Sequence, residues 1–281
     1  IASCLVGSEM CIRDRYIVKR VLMLIPVLFC VAFLIFTMMY FSRGDPATMI
    51  LGDQATPEQL TEWRVEHGLD KPFWEQFVNY IWGIVSRGDF GTSYHSGLSV
   101  TESIMERFPT TFVLAVATCS IAIICGVLLG ILAANHQGTW IDNVLRILGM
   151  AGVSVPIFWL GLLMILWFAV DHQWFPVSGW YGPRYVVLPA LTMGMTFTAS
   201  LMRTTRSSML DCIRQDYVIT ARAKGQKESV ITYHHVLRNA LIPIITAAGS
   251  TFGISLCGAV ITEQVFSIPG LGSLMINAIN N

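Results

Sequence analysis

Five long stretches of the sequence contain no Lys, Arg, Asp or Glu, and this pattern limits the possible folds more than any other feature. A helix needs roughly 20 apolar residues to cross a bilayer core about 30 Å thick. All five stretches meet or approach that length, which predicts an all-α polytopic membrane protein. They are Val21 to Ser42, Phe108 to Ile141, Ile147 to Val170, Tyr185 to Met202 and Asn239 to Thr262.

Composition excludes several other classes of protein. Only 13% of the residues are charged, whereas a soluble domain carries about 25%. The net charge is zero, so no global basic field predicts a nucleic-acid partner. The seven cysteines form no CxxC pair, and we therefore expect neither a metal site nor a cofactor.

The distribution of charge predicts the orientation in the membrane. Arg13, Arg15, Lys19 and Arg20 precede the first span, and positive charge there holds the N-terminus in the cytoplasm. The segment 43–107 holds ten acidic and five basic residues, which fits the outer side. The segment 203–238 holds seven basic and three acidic residues, which fits the cytoplasmic side.

These features divide the chain into four parts. We expect residues 1–15 to be a non-native extension without a structural role, and residues 16–42 to form the first span. Residues 43–107 should form a small helical extracytoplasmic cap, and residues 108–281 a membrane core that includes a cytoplasmic loop at 203–239. Because the sequence stops at Asn281 in an uncharged segment, we regard it as a fragment.

Local signals predict where the helices begin and end. The first helix of the cap can start at Thr56 and Pro57 and stop at Gly68. A second helix is predicted at 72–85, and a third at 100–107, before Pro109. Spans are expected at 111–133, 145–170 with a kink at Pro156, 186–202, and from Asn239 and Pro243 to Ile261. Small residues four apart let membrane helices approach closely, and such packing is predicted at Gly126, Gly130, Gly249 and Gly253.

Motifs for chemistry within the chain are missing. No Walker motif, HExxH or Gly-x-Ser-x-Gly is present, and no acid or base lies in the middle of a predicted span. We therefore do not expect catalysis within this chain.

The basic loop is the most informative segment. It should form two helices broken at Gly225, with small alanines one turn before the glycine. Such a helix could seat deeply in the groove of a partner, with flanking cations against an acidic surface. The alternative is an amphipathic helix whose Arg and Lys side chains snorkel at the membrane surface. Spacing alone leaves both interpretations open.

The loop resembles the EAA loop of binding-protein-dependent ABC importer permeases, whose pattern is Glu-Ala-Ala, three residues, Gly, nine residues, Ile-x-Leu-Pro. Ala221, Gly225 and Leu237 match this pattern. The sequence departs from it at Ile219, Thr220, His235 and Arg238, departures that are typical of the dipeptide/oligopeptide/nickel branch.

Further motifs similar to that branch follow in order, so that the resemblance covers about Tyr16 to Asn281. They are Gly44-Asp45-Pro46-Ala47, Gly68-Leu69-Asp70-Lys71-Pro72, Gly88-Asp89-Phe90-Gly91-Thr92-Ser93, Arg107-Phe108-Pro109-Thr110-Thr111 and Phe266-Ser267-Ile268-Pro269-Gly270-Leu271-Gly272.

The resemblance implies a type I ABC importer transmembrane fold in a prokaryotic inner membrane, with five spans present of an expected six. It implies a second homologous permease, separate ATP-binding subunits and an extracytoplasmic solute-binding protein as partners, so that the chain would be a transport subunit without its own ATPase site rather than an enzyme. It also implies that the loop couples the chain to the ATPase through Thr220, Ala221, Arg222, Ala223, Lys224, Gly225 and Leu237.

The implied cargo is a dipeptide or oligopeptide, and the nickel importers of the same branch are the alternative. From another class, a stand-alone secondary transporter should work without any ATPase and normally places a charge near the midplane of the membrane. A membrane-embedded enzyme would need catalytic groups inside the spans.

Overall fold

The computed structural model describes residues 2–41, 46–52, 55–93 and 96–280, and their regular structure is helical apart from a bridge between Thr92 and Ser99. Gly44 and Asp45, from the first similar motif, lie outside the described residues. The described chain forms two compact units, residues 1–103 and 104–281.

The first unit contains four helices and the beginning of a fifth. These are α1 (Ala2–Tyr40), α2 (Pro46–Leu51), α3 (Pro57–Glu66) and α4 (Phe73–Arg87), followed by the start of α5 (Val100–Asn135). Residues 2–15, expected to have no structural role, continue the first helix towards its N-terminus. The capping signal at Thr56 works as expected, because its Oγ1 accepts a hydrogen bond from Gln59 N and Gln59 Oε1 accepts one from Thr56 N.

Aromatic packing holds α4 against α1. Phe77 of α4 is buried and lies in edge contact with Phe33, at 5.4 Å between ring centroids. Phe73 meets Tyr40 in the same way at 5.1 Å. Such pairs contribute about 0.5–1.5 kcal/mol each beyond their buried area.

The second unit holds the remaining helices, with α8 as their main packing partner. They are α6 (Trp140–Ser154), α7 (Ile157–Met164, continued in π-helical form over Ile165–Asp171), α8 (Pro183–Ile213), α9 (Asp216–Ala223), α10 (Glu228–Val230, continued in π-helical form over Ile231–Val236), α11 (Leu237–Gly258), α12 (Val260–Val265) and α13 (Leu271–Asn280).

Four described helices are long and apolar enough to cross a membrane: Val18–Tyr40, Val100–Asn135, Pro183–Ile213 and Glu228–Cys257. The predicted third span is α6 followed by α7, and the two helices are bent by 100° at the break. They give a fifth crossing only if the bent pair counts as one span. Pro156 causes this break, because Val155 before it is extended with ψ 124°.

Two other prolines do not end helices, contrary to expectation. Pro109 lies inside α5, so the predicted short helix 100–107 and the second span are one helix. Pro243 lies inside α11 rather than opening the fifth span, which starts near Glu228. Membrane helices tolerate proline because local π-type adjustments and neighbouring side chains can satisfy the freed backbone groups. The fourth span likewise runs past Met202 to Ile213, so that its last turns take up the start of the predicted loop.

Candidate functional site

Helix α9 lies between the end of α8 and the turn that leads into α10, and it has two different faces. Val218 and Ala221 are buried in a core cluster together with Met209 of α8, Ile231 and Ala240. Ile219, Thr220 and Ala223 are exposed on the other side. Ala221 therefore packs against the chain's own helices, and the role of this loop in coupling to an ATPase stays a prediction.

A tight turn at Gly225 ends the helix, as the sequence predicts. Gly225 has φ +74°, and its N–H donates to Arg222 O at 2.9 Å, while Gln226 N donates to Ala221 O at 3.3 Å. A Cβ on Gly225 would meet nothing within 4 Å. Its left-handed backbone, rather than lack of space, is thus what calls for glycine here.

Two side-chain contacts close the turn. Arg222 binds Glu228 through two hydrogen bonds, Nε to Oε1 at 2.8 Å and Nη2 to Oε2 at 3.2 Å. His235 Nε2 lies 2.7 Å from Gln226 Oε1. Arg222 is therefore engaged within the loop. Lys224 is exposed, and no described residue accepts a hydrogen bond from it, which leaves it as a cation available to an external surface.

The exposed face of α9 carries apolar surface that the predicted set of residues did not include. Ile219 is 59% exposed although it lies in a basic segment, and Tyr217, at the start of the same helix, is 38% exposed. Burial raises the pKa of the Tyr217 hydroxyl, so it stays neutral at physiological pH. Ile219 is the position that departs from the glutamate of the EAA pattern, which is the sequence signal that could have marked it. Leu237, in contrast, is partly buried against the core cluster.

The four predicted packing glycines behave in two ways. A Cβ on Gly126 would lie 3.0 Å from Leu201 Cβ, and one on Gly130 would lie 2.5 Å from Thr205 Cβ, so α5 and α8 approach closely. Gly249 and Gly253 of α11 are exposed, and an added Cβ would meet nothing within 4 Å. Within the described chain these two do not pack against another helix.

Two buried carboxylates complete the polar interior of the second unit. Asp142 is 1% exposed and binds Arg206 of α8 in bidentate fashion, with Nε to Oδ1 at 2.6 Å and Nη2 to Oδ2 at 2.8 Å. Glu263 of α12 is fully buried and accepts hydrogen bonds from Thr111 Oγ1 at 2.6 Å and Ser273 N at 2.9 Å. Sequence reasoning missed Glu263, which directly follows an uncharged stretch.

Comparison with known proteins finds two matching families that together cover most of the chain. Residues 126–281 match the family described as Binding-protein-dependent transport system inner membrane component. Residues 13–115 match the family described as Binding-prot-dependent transport system membrane comp, N-term.

Individual relatives agree with the family matches. The chain is 40% identical over 266 residues to the Glutathione transport system permease protein GsiC of Salmonella choleraesuis (strain SC-B67). This alignment covers 95% of this chain and 87% of the relative. It is 39% identical over 265 residues to the protein of the same name from Escherichia coli (strain K12), with 94% and 86% covered. A crystal structure of an amino acid ABC transporter with histidines has a similar fold, with a TM-score of 0.51 and 15% identity, over 64% of this chain and 80% of that chain.

Proposed function

The chain belongs to the family of binding-protein-dependent transport system inner membrane components, and on this premise we propose that it imports small peptides. It is a multi-pass inner-membrane permease subunit of an ABC importer, with an all-helical transmembrane fold of the type I importer class. Cargo, partner contacts and orientation are the further parts of the proposal.

The cargo is proposed from the relatives. Proteins 39–40% identical over 94–95% of this chain are named as glutathione permeases, and glutathione is a tripeptide. This is the single observation that carries the peptide assignment. It favours a short peptide over nickel, the alternative cargo in this branch.

Uptake by the complete reconstituted transporter tests the cargo. Proteoliposomes are supplied with ATP on the side of the ATP-binding subunits. Labelled glutathione, a labelled dipeptide or ⁶³Ni²⁺ is added on the opposite side, together with the cognate binding protein. ATP-dependent uptake of either peptide supports the proposal. Uptake of nickel alone, or peptide uptake that persists without ATP while a proton gradient is held, overturns it in favour of a nickel importer or a secondary transporter.

The proposed docking surface for the ATP-binding subunit is the exposed side of α9. Ile219, Thr220 and Ala223 form a small, mostly apolar face, and Lys224 adds a cation at its edge. The buried side, with Val218 and Ala221, joins this face to the core of the permease. Chemical energy then comes from the separate ATPase, because the chain supplies no phosphate-binding motif of its own.

Substitution at Ile219 tests the docking surface without disturbing the core, because the side chain is 59% exposed. Ile219→Asp should reduce both copurification of the ATPase and uptake about tenfold or more, since a charge would be buried without a partner at the interface. Ile219→Leu keeps the apolar volume and should retain both. Wild-type copurification and uptake by Ile219→Asp would contradict the assignment.

We also assign the open side of α11 to the second permease. Gly249 and Gly253 are four residues apart on this helix, and an added Cβ on either would meet nothing within 4 Å; small residues at this spacing admit a close partner helix. Gly253→Leu should weaken recovery of the second permease while leaving the thermal stability of the isolated chain unchanged. Full recovery of the pair would contradict it.

The orientation and the outer partner follow from charge. The N-terminus and the loop 203–239 are proposed to be cytoplasmic, and the acidic segment 43–107 to face the solute-binding protein. A pull-down of the full-length protein in mild detergent should recover a P-loop ATPase and a second, similar permease. Protease protection of a tag at either end tests the orientation separately.

A further inference from the structure

A cavity of about 700 Å³ between α6 and α8 is lined by basic and apolar side chains. Three of the lining residues are arginines, namely Arg146, Arg203 and Arg206. The buried carboxylate of Asp142 pairs with Arg206, which leaves the group with a net charge of +2. The uncompensated charge makes this cavity different from the apolar grooves that α5 forms with α8 and with α11.

The hydrogen-bonding capacity of the cavity is only partly used. Arg206 donates to Asp142 through Nε and Nη2, and no described residue accepts from its Nη1 group. Arg203 is exposed, and no described acceptor binds it. Arg146 hydrogen-bonds Asn143 and lies 4.0 Å from Asp142, yet its side chain is 51% exposed. Several N–H donors therefore face the cavity together.

Asp142 fixes the position of this donor set. Its Oδ2 accepts a hydrogen bond from Gly138 N at 3.1 Å, so the carboxylate that grips Arg206 is itself anchored at the start of α6. A guanidinium held in this way loses less conformational entropy when it binds an anion than a mobile side chain does.

Apolar side chains form the other wall. Ile147 and Met150 line the cavity and are 60% and 55% exposed. Both lie in α6 one or more turns beyond the acidic anchor, within a helix that is part of the bent membrane-spanning pair. The cavity thus offers cationic donors at one end and hydrocarbon contact at the other.

We propose that this cavity binds an anionic phospholipid, with the phosphate on the arginines and an acyl chain along Ile147 and Met150. Guanidinium groups bind phosphate in a planar, two-pronged manner, and basic pockets between membrane helices on the cytoplasmic side suit anionic headgroups. The inference uses the proposed cytoplasmic position of this end of α8. It does not depend on the cargo.

Lipid retention by the purified full chain tests the proposal. Native mass spectrometry in detergent would compare titrations with phosphatidylglycerol, phosphatidylcholine and inorganic phosphate. We expect saturable binding of phosphatidylglycerol, weaker binding of phosphatidylcholine, and no competition by inorganic phosphate at equal concentration. Equal binding of the two lipids, or equally strong competition by free phosphate, would overturn the assignment to an anionic lipid.

Variants that remove arginines inside and outside the cavity locate the site. Arg146→Gln with Arg203→Gln should weaken phosphatidylglycerol binding about 25-fold, at roughly fivefold per arginine. Arg214→Gln removes an exposed cation at the end of the same helix, outside the cavity, and should change binding less than twofold. Unchanged binding in the double variant, with a wild-type thermal unfolding temperature, would overturn the site. Peptide uptake assays on the same variants report separately on the proposed function.

Discussion

Replacing Glu263 should destabilise the second unit more than any exposed substitution. Its two carboxylate oxygens accept from Thr111 Oγ1 and Ser273 N, and Thr111 Oγ1 in turn accepts from Leu271 N at 2.9 Å. One side chain therefore joins α5, α12 and the start of α13. Because it is fully buried, water cannot replace these hydrogen bonds after a truncation.

The expected magnitude follows from these contacts. A hydrogen bond to a charged group contributes about 1.5–3 kcal/mol, so Glu263→Ala, which loses two and leaves a cavity, should cost about 3–6 kcal/mol. Glu263→Gln keeps the shape. Its amide oxygen can accept from Ser273 N, and its NH₂ group can donate to Thr111 Oγ1, so we expect a cost of about 1–2 kcal/mol.

Thermal unfolding of the purified protein in detergent, followed by tryptophan fluorescence, measures the difference. At roughly 2–4 °C per kcal/mol, Glu263→Ala should unfold about 6–24 °C below the wild type, and Glu263→Gln only about 2–8 °C below. Glu106→Ala, an exposed change on α5, serves as the control and should stay within about 0.5 kcal/mol. An unshifted Glu263→Ala, or equal losses for Ala and Gln, would refute the reasoning.

Three further outcomes are expected. Gly130→Ala should lower the free energy of unfolding by about 1–3 kcal/mol, because its Cβ would lie 2.8 Å from Met202 O. Gly249→Ala, on an open helix surface, should leave the stability unchanged, and thermal unfolding of both variants checks this. Asp142→Ala should cost about 3–5 kcal/mol because it leaves Arg206 partly buried and unpaired, and the same assay applies; a loss below 1 kcal/mol would contradict it. Gly225→Val should impair ATP-dependent uptake through backbone strain at φ +74°, and Gly225→Asn should retain more uptake because asparagine tolerates this conformation; equal uptake by the two variants would show that strain is not the cause.

The apolar helices could be predicted from the sequence because charge exclusion from a bilayer acts on every residue of a span. Helix boundaries were harder to predict, and proline shows why. Pro156 breaks its helix by 100°, whereas Pro109 and Pro243 are accommodated within α5 and α11. The difference lies in the backbone of the preceding residue, which is extended at Val155. Tertiary packing decides that conformation, and a single sequence does not record it.

The candidate site was predicted in outline, and its faces were not. The turn at Gly225 follows from local chemistry, so the sequence signal was sufficient. Which side of an eight-residue helix is buried depends on the surrounding helices, so the sequence alone did not show that Ala221 faces the core and Ile219 faces outward. Glu263 was missed for a similar reason. Gly270 and Gly272 lie against its carboxylate, yet only the folded chain brings them there.

Helix α9 is short, yet its buried side chains have mechanical consequences for the whole second unit. Val218 and Ala221 share one core with Ile131 of α5, Met209 of α8 and Ala240 of α11. Protein interiors are as densely packed as organic crystals and have low compressibility, so a force on the outer side of this helix is not absorbed locally. Through these buried side chains α9 is packed tightly against α5, α8 and α11. If the exposed side of α9 moves by about an ångström, the ends of these three helices must move with it. Otherwise a void opens in the core, which costs free energy.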